Sequence, residues 1–262
     1  MRPQLPFLAT VVCALAAPVH AGEPIDTDGP DFVESSEAVG KDRFQVEMDC
    51  VSESGRSDAA LRRSMSTPTL ARYGITENVE LRMEGETYVR ATTRDAGGDS
   101  TASGHGDIAL GVKWHTQNRD ESKNTPAVSW LFHVDTPSGS EQFRGHGLRP
   151  SLRSVVTWDF PQEFSLGVMP GLIRDSTAAG QRFTSGILGI VLDKRFTEHF
   201  RMFVESASAQ IARAENGGVV SAWDIGAAYL LTNDVQLGSR FAVAANRNTP
   251  RNALIVELAV RF

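Results

Sequence analysis

The chain has 262 residues, 41% of them hydrophobic and 22% charged, and a formal net charge of -6. An acid excess of this kind argues against a nucleic-acid partner, which would be held through clustered basic side chains. Two cysteines, Cys13 and Cys50, are too few for a disulfide scaffold, and the scattered histidines lack the spacing of a metal site, so neither a metal nor any other cofactor is expected.

Residues 1–21 read as a secretory signal peptide: Arg2, an apolar run from Leu5 to Ala17, the helix breaker Pro18, then Val19 and Ala21 at the small-residue positions before a cleavage site. Cleavage after Ala21 is predicted, which leaves Cys50 alone in the mature chain. The apolar run is shorter than the roughly 20 residues of a spanning helix, and no later stretch comes closer. Any membrane crossing is therefore by strands. Residues 22–42 are polar and acidic, with Pro24, Gly29 and Pro30, and show neither a helical nor a strand period. They are expected to form a periplasmic arm.

From residue 43 the pattern changes to alternation. Phe44, Val46 and Met48 oppose Gln45, Glu47 and Asp49, as in a strand with lipid on one side and water on the other. After a polar stretch, two strands are joined by a tight turn at Thr76 to Asn78. In the second, Val79, Leu81, Met83 and Val89 oppose Glu80, Arg82, Glu84, Glu86 and Arg90. Residues 106–114 place Ile108, Leu110, Val112 and Trp114 against Lys113. Further strands are expected around residues 127–135, 148–160, 164–173, 182–192, 200–209, 221–231 and 235–245. In the last strand Leu254, Val256, Leu258, Val260 and Phe262 share one face, and Ala253, Glu257 and Arg261 the other.

This sums to a transmembrane antiparallel up-and-down β-barrel of about 12 strands over residues 43–262, an even number as single-chain bacterial barrels have. Closure follows because in hydrocarbon every backbone N–H and C=O needs a partner, which strands achieve only without an edge. Short links are expected at residues 74–78, 161–163, 193–199 and 232–234, and longer ones at 52–66, 91–106, 135–147 and 210–220. The polar link 116–125 is too long for the periplasmic turn its place in that order demands. Trp114, Trp130, Trp158, Trp223 and Tyr229 face outward and fit interfacial girdles.

Two resemblances add to this reading. A strand ending in an outward aromatic, Phe262, resembles the last strand of bacterial outer-membrane barrels, in which that residue is part of the signal read by the barrel-assembly machinery. The stretch Thr27 to Ser35 followed by Arg43 to Asp49 resembles the opening of the outer-membrane family named for the MetA pathway of phenol degradation. Thr27, Asp28, Pro30, Asp31, Glu34, Ser35, Gln45 and Glu47 match its pattern, while Gly29, Val33 and Ser36 depart from it. Thr136 to Gly139 and the run from Asp224 to Val243 also resemble family segments. The resemblance implies an outer-membrane transporter in a Gram-negative-type bacterium, in contact with lipid and passing small solutes such as hydrophobic or aromatic catabolites.

The expected function is passive passage of small molecules. Glu47, Glu80, Arg82, Glu84, Lys113, Arg153, Arg182, Glu205, Asp224, Arg240 and Glu257 are the candidate lumen-lining residues, either setting a transverse field for solutes or pairing with one another. Asp28, Asp31 and Glu34 of the arm are candidates for a plug that folds into the lumen and meets Arg153, Arg182 or Arg240. The bland alternative is a periplasmic tail. A barrel enzyme, lipase- or protease-like, is the second function class, and a receptor or structural barrel the third. A barrel lipase needs His and Ser two apart on one face, and no His-x-Ser occurs. His133 and Asp135 share a face but have no identifiable nucleophile beside them, so no catalytic residue is assigned.

Overall fold

Most strands of this chain have one apolar face and one polar face, and a sheet of such strands can satisfy both only by curling until its first strand meets its last. The computed structural model describes residues 23–57, 60–177 and 179–262, so the expected signal peptide lies outside the described residues. Thirteen antiparallel strands follow in order: β1 (Phe44–Ser57), β2 (Ala60–Thr76), β3 (Val79–Asp95), β4 (Gly98–Gly104), β5 (Ile108–Gln117), β6 (Ala127–Asp135), β7 (Arg149–Phe160), β8 (Phe164–Ser176), β9 (Arg182–Arg195), β10 (Phe200–Ile211), β11 (Val219–Thr232), β12 (Val235–Ala244) and β13 (Asn252–Arg261). β13 returns to β1, with Gln45 opposite Arg261 and Ser54 opposite Asn252, and this seals the sheet.

β4 and β5 are two lengths of one stave. Both pair with β3, β5 along residues 79–85 and β4 along residues 89–95. The barrel is thus a closed ring of 12 staves, as expected. Among the described residues no helix is long and apolar enough to cross a membrane.

Outside, the apolar faces stand exposed as a belt: Met48, Leu110, Phe132, Ile225, Val256 and their neighbours have no protein cover. Such a surface is stable only against hydrocarbon. Trp114 and Trp130 pair across β5 and β6 near the short-turn end, where Phe44 and Phe262 also stack at 6.1 Å across the seam. Aromatics at that level make the interfacial girdle of a membrane barrel. Trp223 and Tyr229 are likewise exposed on the outside.

Three departures from the sequence reading have physical causes. The expected long links 52–66 and 91–106 are mostly strand, because β1, β2, β3 and β4 continue past the belt as hairpins. There both faces meet water, so alternation fades while backbone pairing persists. In β3 the facing inverts, with Val89 buried inside and Arg90 exposed outside, because Thr87 and Tyr88 together oppose Thr67. This two-for-one bulge shifts the side-chain parity of everything beyond it. The overlong link after β5 carries a 3-10 turn at Glu121–Lys123, and its Arg119 bonds Glu37 of the arm at 2.9 Å and Asp159 at 2.6 Å.

Candidate functional site

The inner face is built by the polar half of each alternating pair. Glu47, Glu80, Arg82, Glu84, Lys113, Arg153, Glu205, Asp224, Arg240 and Glu257 all project into the barrel. Arg182 does not. It starts β9 at the rim, exposed, and donates to the Leu148 carbonyl at 2.6 Å and to Ser176 Oγ at 3.2 Å.

Residues 23–42 lie within the ring and contact most of its wall. At the short-turn end Ile25 N–H donates to the Asn233 carbonyl, and Arg261 donates to the Glu23 carbonyl at 2.7 Å and to Asp234. The Asp28 carboxylate then sits among Arg82, Lys113 and Arg72, at 2.5, 2.5 and 3.5 Å, drawn from β3, β5 and β2. Asp31 pairs with Arg201 on β10 at 3.1 Å, and Glu34 bridges Arg82 at 2.7 Å and Arg153 at 2.6 Å. Of the expected cation partners, Arg153 meets the arm. Arg240 instead pairs with Asp224 at 2.8 Å and approaches Glu205 at 3.7 Å.

Backbone groups of the arm, which has no ladder of its own, are satisfied by wall side chains. Glu47 accepts from the amides of Asp28 and Gly29, Glu205 from those of Phe32 and Val33, and Glu80 from that of Val39. Lys113 donates to the Ser35 carbonyl, and His115 and Ser129 contact that of Ser36. Close approach has a steric condition: a Cβ on Gly74 of β2 would run into the Gly40 backbone.

Burial pulls on these acids in opposite ways. Burial alone would raise the Asp28 carboxyl, but Arg72, Lys113 and Arg82 outweigh it and hold it far below the usual carboxylate range. For Asp31 burial wins, and Arg201 offsets it only in part, so that carboxyl is raised. Desolvation dominates where one cation answers and loses where three do.

Sequence reasoning missed two features of the interior. Arg72 is fully buried and ties the arm to the wall, bonding Glu80 at 2.8 Å, Glu47 at 3.0 Å and the carbonyls of Asp26 and Glu37. The signal was the run Tyr73 and Ile75, both exposed outside, which puts Arg72 and Gly74 inside. The second is an apolar patch on the inner wall, Leu131, Val155, Met169, Val191 and Phe203, packed on Val33 and Phe32 of the arm. Residues 187–192 in the middle of β9, apolar on both faces apart from Gly189, carried that signal, since a face turned to lipid requires only every second position to be apolar.

His133 is turned inward and its Nε2 accepts from Arg82 Nε at 3.0 Å, so this nitrogen has no free lone pair for a proton-transfer role. Above the arm the interior opens into a cavity of about 510 Å³, bounded by Asp49, Glu84, Glu86, Asp107, Asp135 and Glu257 among others. A second cavity of about 370 Å³ adjoins it, sharing Asp49, Pro68 and Glu86. Carboxylates outnumber guanidinium groups in both linings.

With a closed ring, an apolar belt and a charged interior in place, comparison with known proteins becomes decisive. The family described as "Putative MetA-pathway of phenol degradation" matches residues 27–262. The chain belongs to this family. The match begins at Thr27, so it takes in the inserted arm as well as the barrel. The crystal structure of an outer membrane channel from Pseudomonas putida F1 is similar over 89% of this chain and 99% of that one, with 12% identity and a TM-score of 0.67. The β domain of the Bordetella autotransporter BrkA covers 83% and 98% at 12% identity, TM-score 0.58. The NanC porin covers 83% and 98% at 11% identity, TM-score 0.52. No curated protein matches the sequence. At such identities the likeness is one of fold, and the fold is that of outer-membrane barrels.

Proposed function

We propose that this family member is a passive outer-membrane channel for small solutes whose arm, residues 23–42, forms the constriction. The observation that carries the reading is the pair of adjoining cavities above the arm: one walled mostly by charged side chains and floored by Asp28, Gly29, Asp31 and Glu34, the other lined mostly by small and apolar residues with Phe32 of the arm among them. A barrel filled for strength alone would pack its interior with side chains. Here space is left to solvent above the arm. The family description and the Pseudomonas putida F1 channel support a transport role, and small organic molecules, aromatic catabolites among them, are the solute class. At the seam, exposed Phe262 stacked on Phe44 is the residue we assign to recognition by the assembly machinery.

Single-channel recording in planar bilayers tests the reading. The arm-deleted barrel, lacking Glu23 to Val39, is expected to conduct at least twofold more than the full chain. A barrel that conducts nothing with or without the arm overturns it.

A further inference from the structure

Glu257 is 1% exposed, and neither of its carboxylate oxygens has a hydrogen-bond partner. An unpaired buried polar group is destabilising, and more so when charged. The neighbours sharpen the problem. Asp49 stands directly opposite on β1, and like charges facing each other destabilise a strand pair. Glu47 and Asp31 add negative potential at Glu257, with Arg201 acting against them. Arg201 is already engaged by Asp31 and Asp193, at 3.1 and 2.8 Å, and Glu47 by Arg72.

All four acids face the 510 Å³ cavity, whose floor at this point is the arm. Gly29 lies so close that a Cβ there would collide with the Glu257 carboxylate. Beside the acids the cavity also has Pro68, Leu70 and Phe143 on its lining, enough apolar surface for an organic body. No set of three or more His, Cys, Asp or Glu side chains among the described residues is arranged to hold a metal ion. The unmet demand is for N–H donors spread over several ångströms.

The geometry points to an organic-cation site: a solute bearing an amidinium, guanidinium or ammonium group enters the cavity and sets its N–H donors on Asp49, where its charge also answers the unpaired Glu257 beside Gly29. The site names the solute class of the proposed channel, and it rests on that reading only for the route of entry. A charged donor pair on a carboxylate is about twice as strong as a neutral one, so charge rather than shape decides which solutes are held.

Calorimetric titration of the full-length barrel in detergent tests this, with benzamidine, an amidinium on an aromatic ring, against benzamide, its neutral counterpart of similar shape. Benzamidine is expected to bind saturably and at least tenfold more tightly than benzamide. Glu257→Gln is expected to weaken it at least tenfold and Asp49→Asn severalfold. Equal binding of the two probes, full competition by potassium at benzamidine's own concentration, or unchanged binding in the variants overturns the inference. Asp49, half-buried, carries the test alone if Glu257→Gln does not assemble into a heat-modifiable barrel. Conductance keeps the two readings apart: selective binding to a barrel that never conducts sinks the channel and leaves the site, whereas conductance without selective binding does the reverse.

Discussion

Asp28 is where the arm is most firmly held, since its carboxylate answers three buried cations at once. Removing one partner of a buried charge cluster costs about 3–5 kcal/mol, because the remaining charges stay buried. Asp28→Asn is therefore expected to free the arm, seen as raised conductance and as new protease sensitivity between Glu23 and Val39. The effect of pH has a definite sign. The depressed Asp28 carboxyl contributes docking energy that is fully present above the ordinary carboxylate value of about 4 and is lost only as pH falls below it toward the depressed value. The raised Asp31 carboxyl favours the docked arm more as pH falls through its value. Conductance is thus expected to stay low from pH 7 to about pH 4 and to rise only below that. A channel that opens between pH 7 and 5 would contradict the assignment. At this scale, the identity of most charged interior residues was legible from alternation, but who pairs with whom was not. Parity tells which face a side chain takes and says nothing about a neighbour many strands away, which is why Arg240 was matched with the arm rather than with Asp224.

Among the elements, β1, β5 and β13 were readable because lipid imposes one side of the code and water the other. β3 was readable only as far as Glu86. Beyond it the bulge at Thr87 and Tyr88 exchanges the faces, and such a bulge leaves no fixed sequence mark. Met83, exposed on the belt and paired with Leu110, lies about midway through the lipid-facing part of β3. Met83→Arg is expected to cost about 2–4 kcal/mol, as a cation does at the midplane of a lipid face, measured by urea unfolding in lipid. Glu84→Gln, one residue along and inward, is expected to change ion preference with little loss of stability, since its contacts to Arg153 and Arg82 are long, at 3.8 and 4.0 Å. The reverse pair of outcomes would place the register one residue off. Phe262→Ala at the seam is expected to lower the assembled fraction in membranes, read as loss of heat-modifiable protein.

For the whole molecule, closure, approximate strand number and the existence of an arm were all in the sequence, whereas the depth to which the arm enters was not. Its acids argued for water, and its Val33 and Phe32 found an inner-wall apolar patch that only the assembled ring creates. The arm also touches walls far apart on the circumference: β2 and β3 through Asp28, β7 through Glu34, β10 through Asp31. Those contacts act as spokes in a wheel. A thin ring of 12 staves has a soft mode in which it flattens into an oval, and ties that cross the hub stiffen that mode more than any contact along the rim. Cutting them would do more than widen the bore: it would let the cross-section wander, so that the arm-deleted barrel shows a spread of current levels in place of a single larger step.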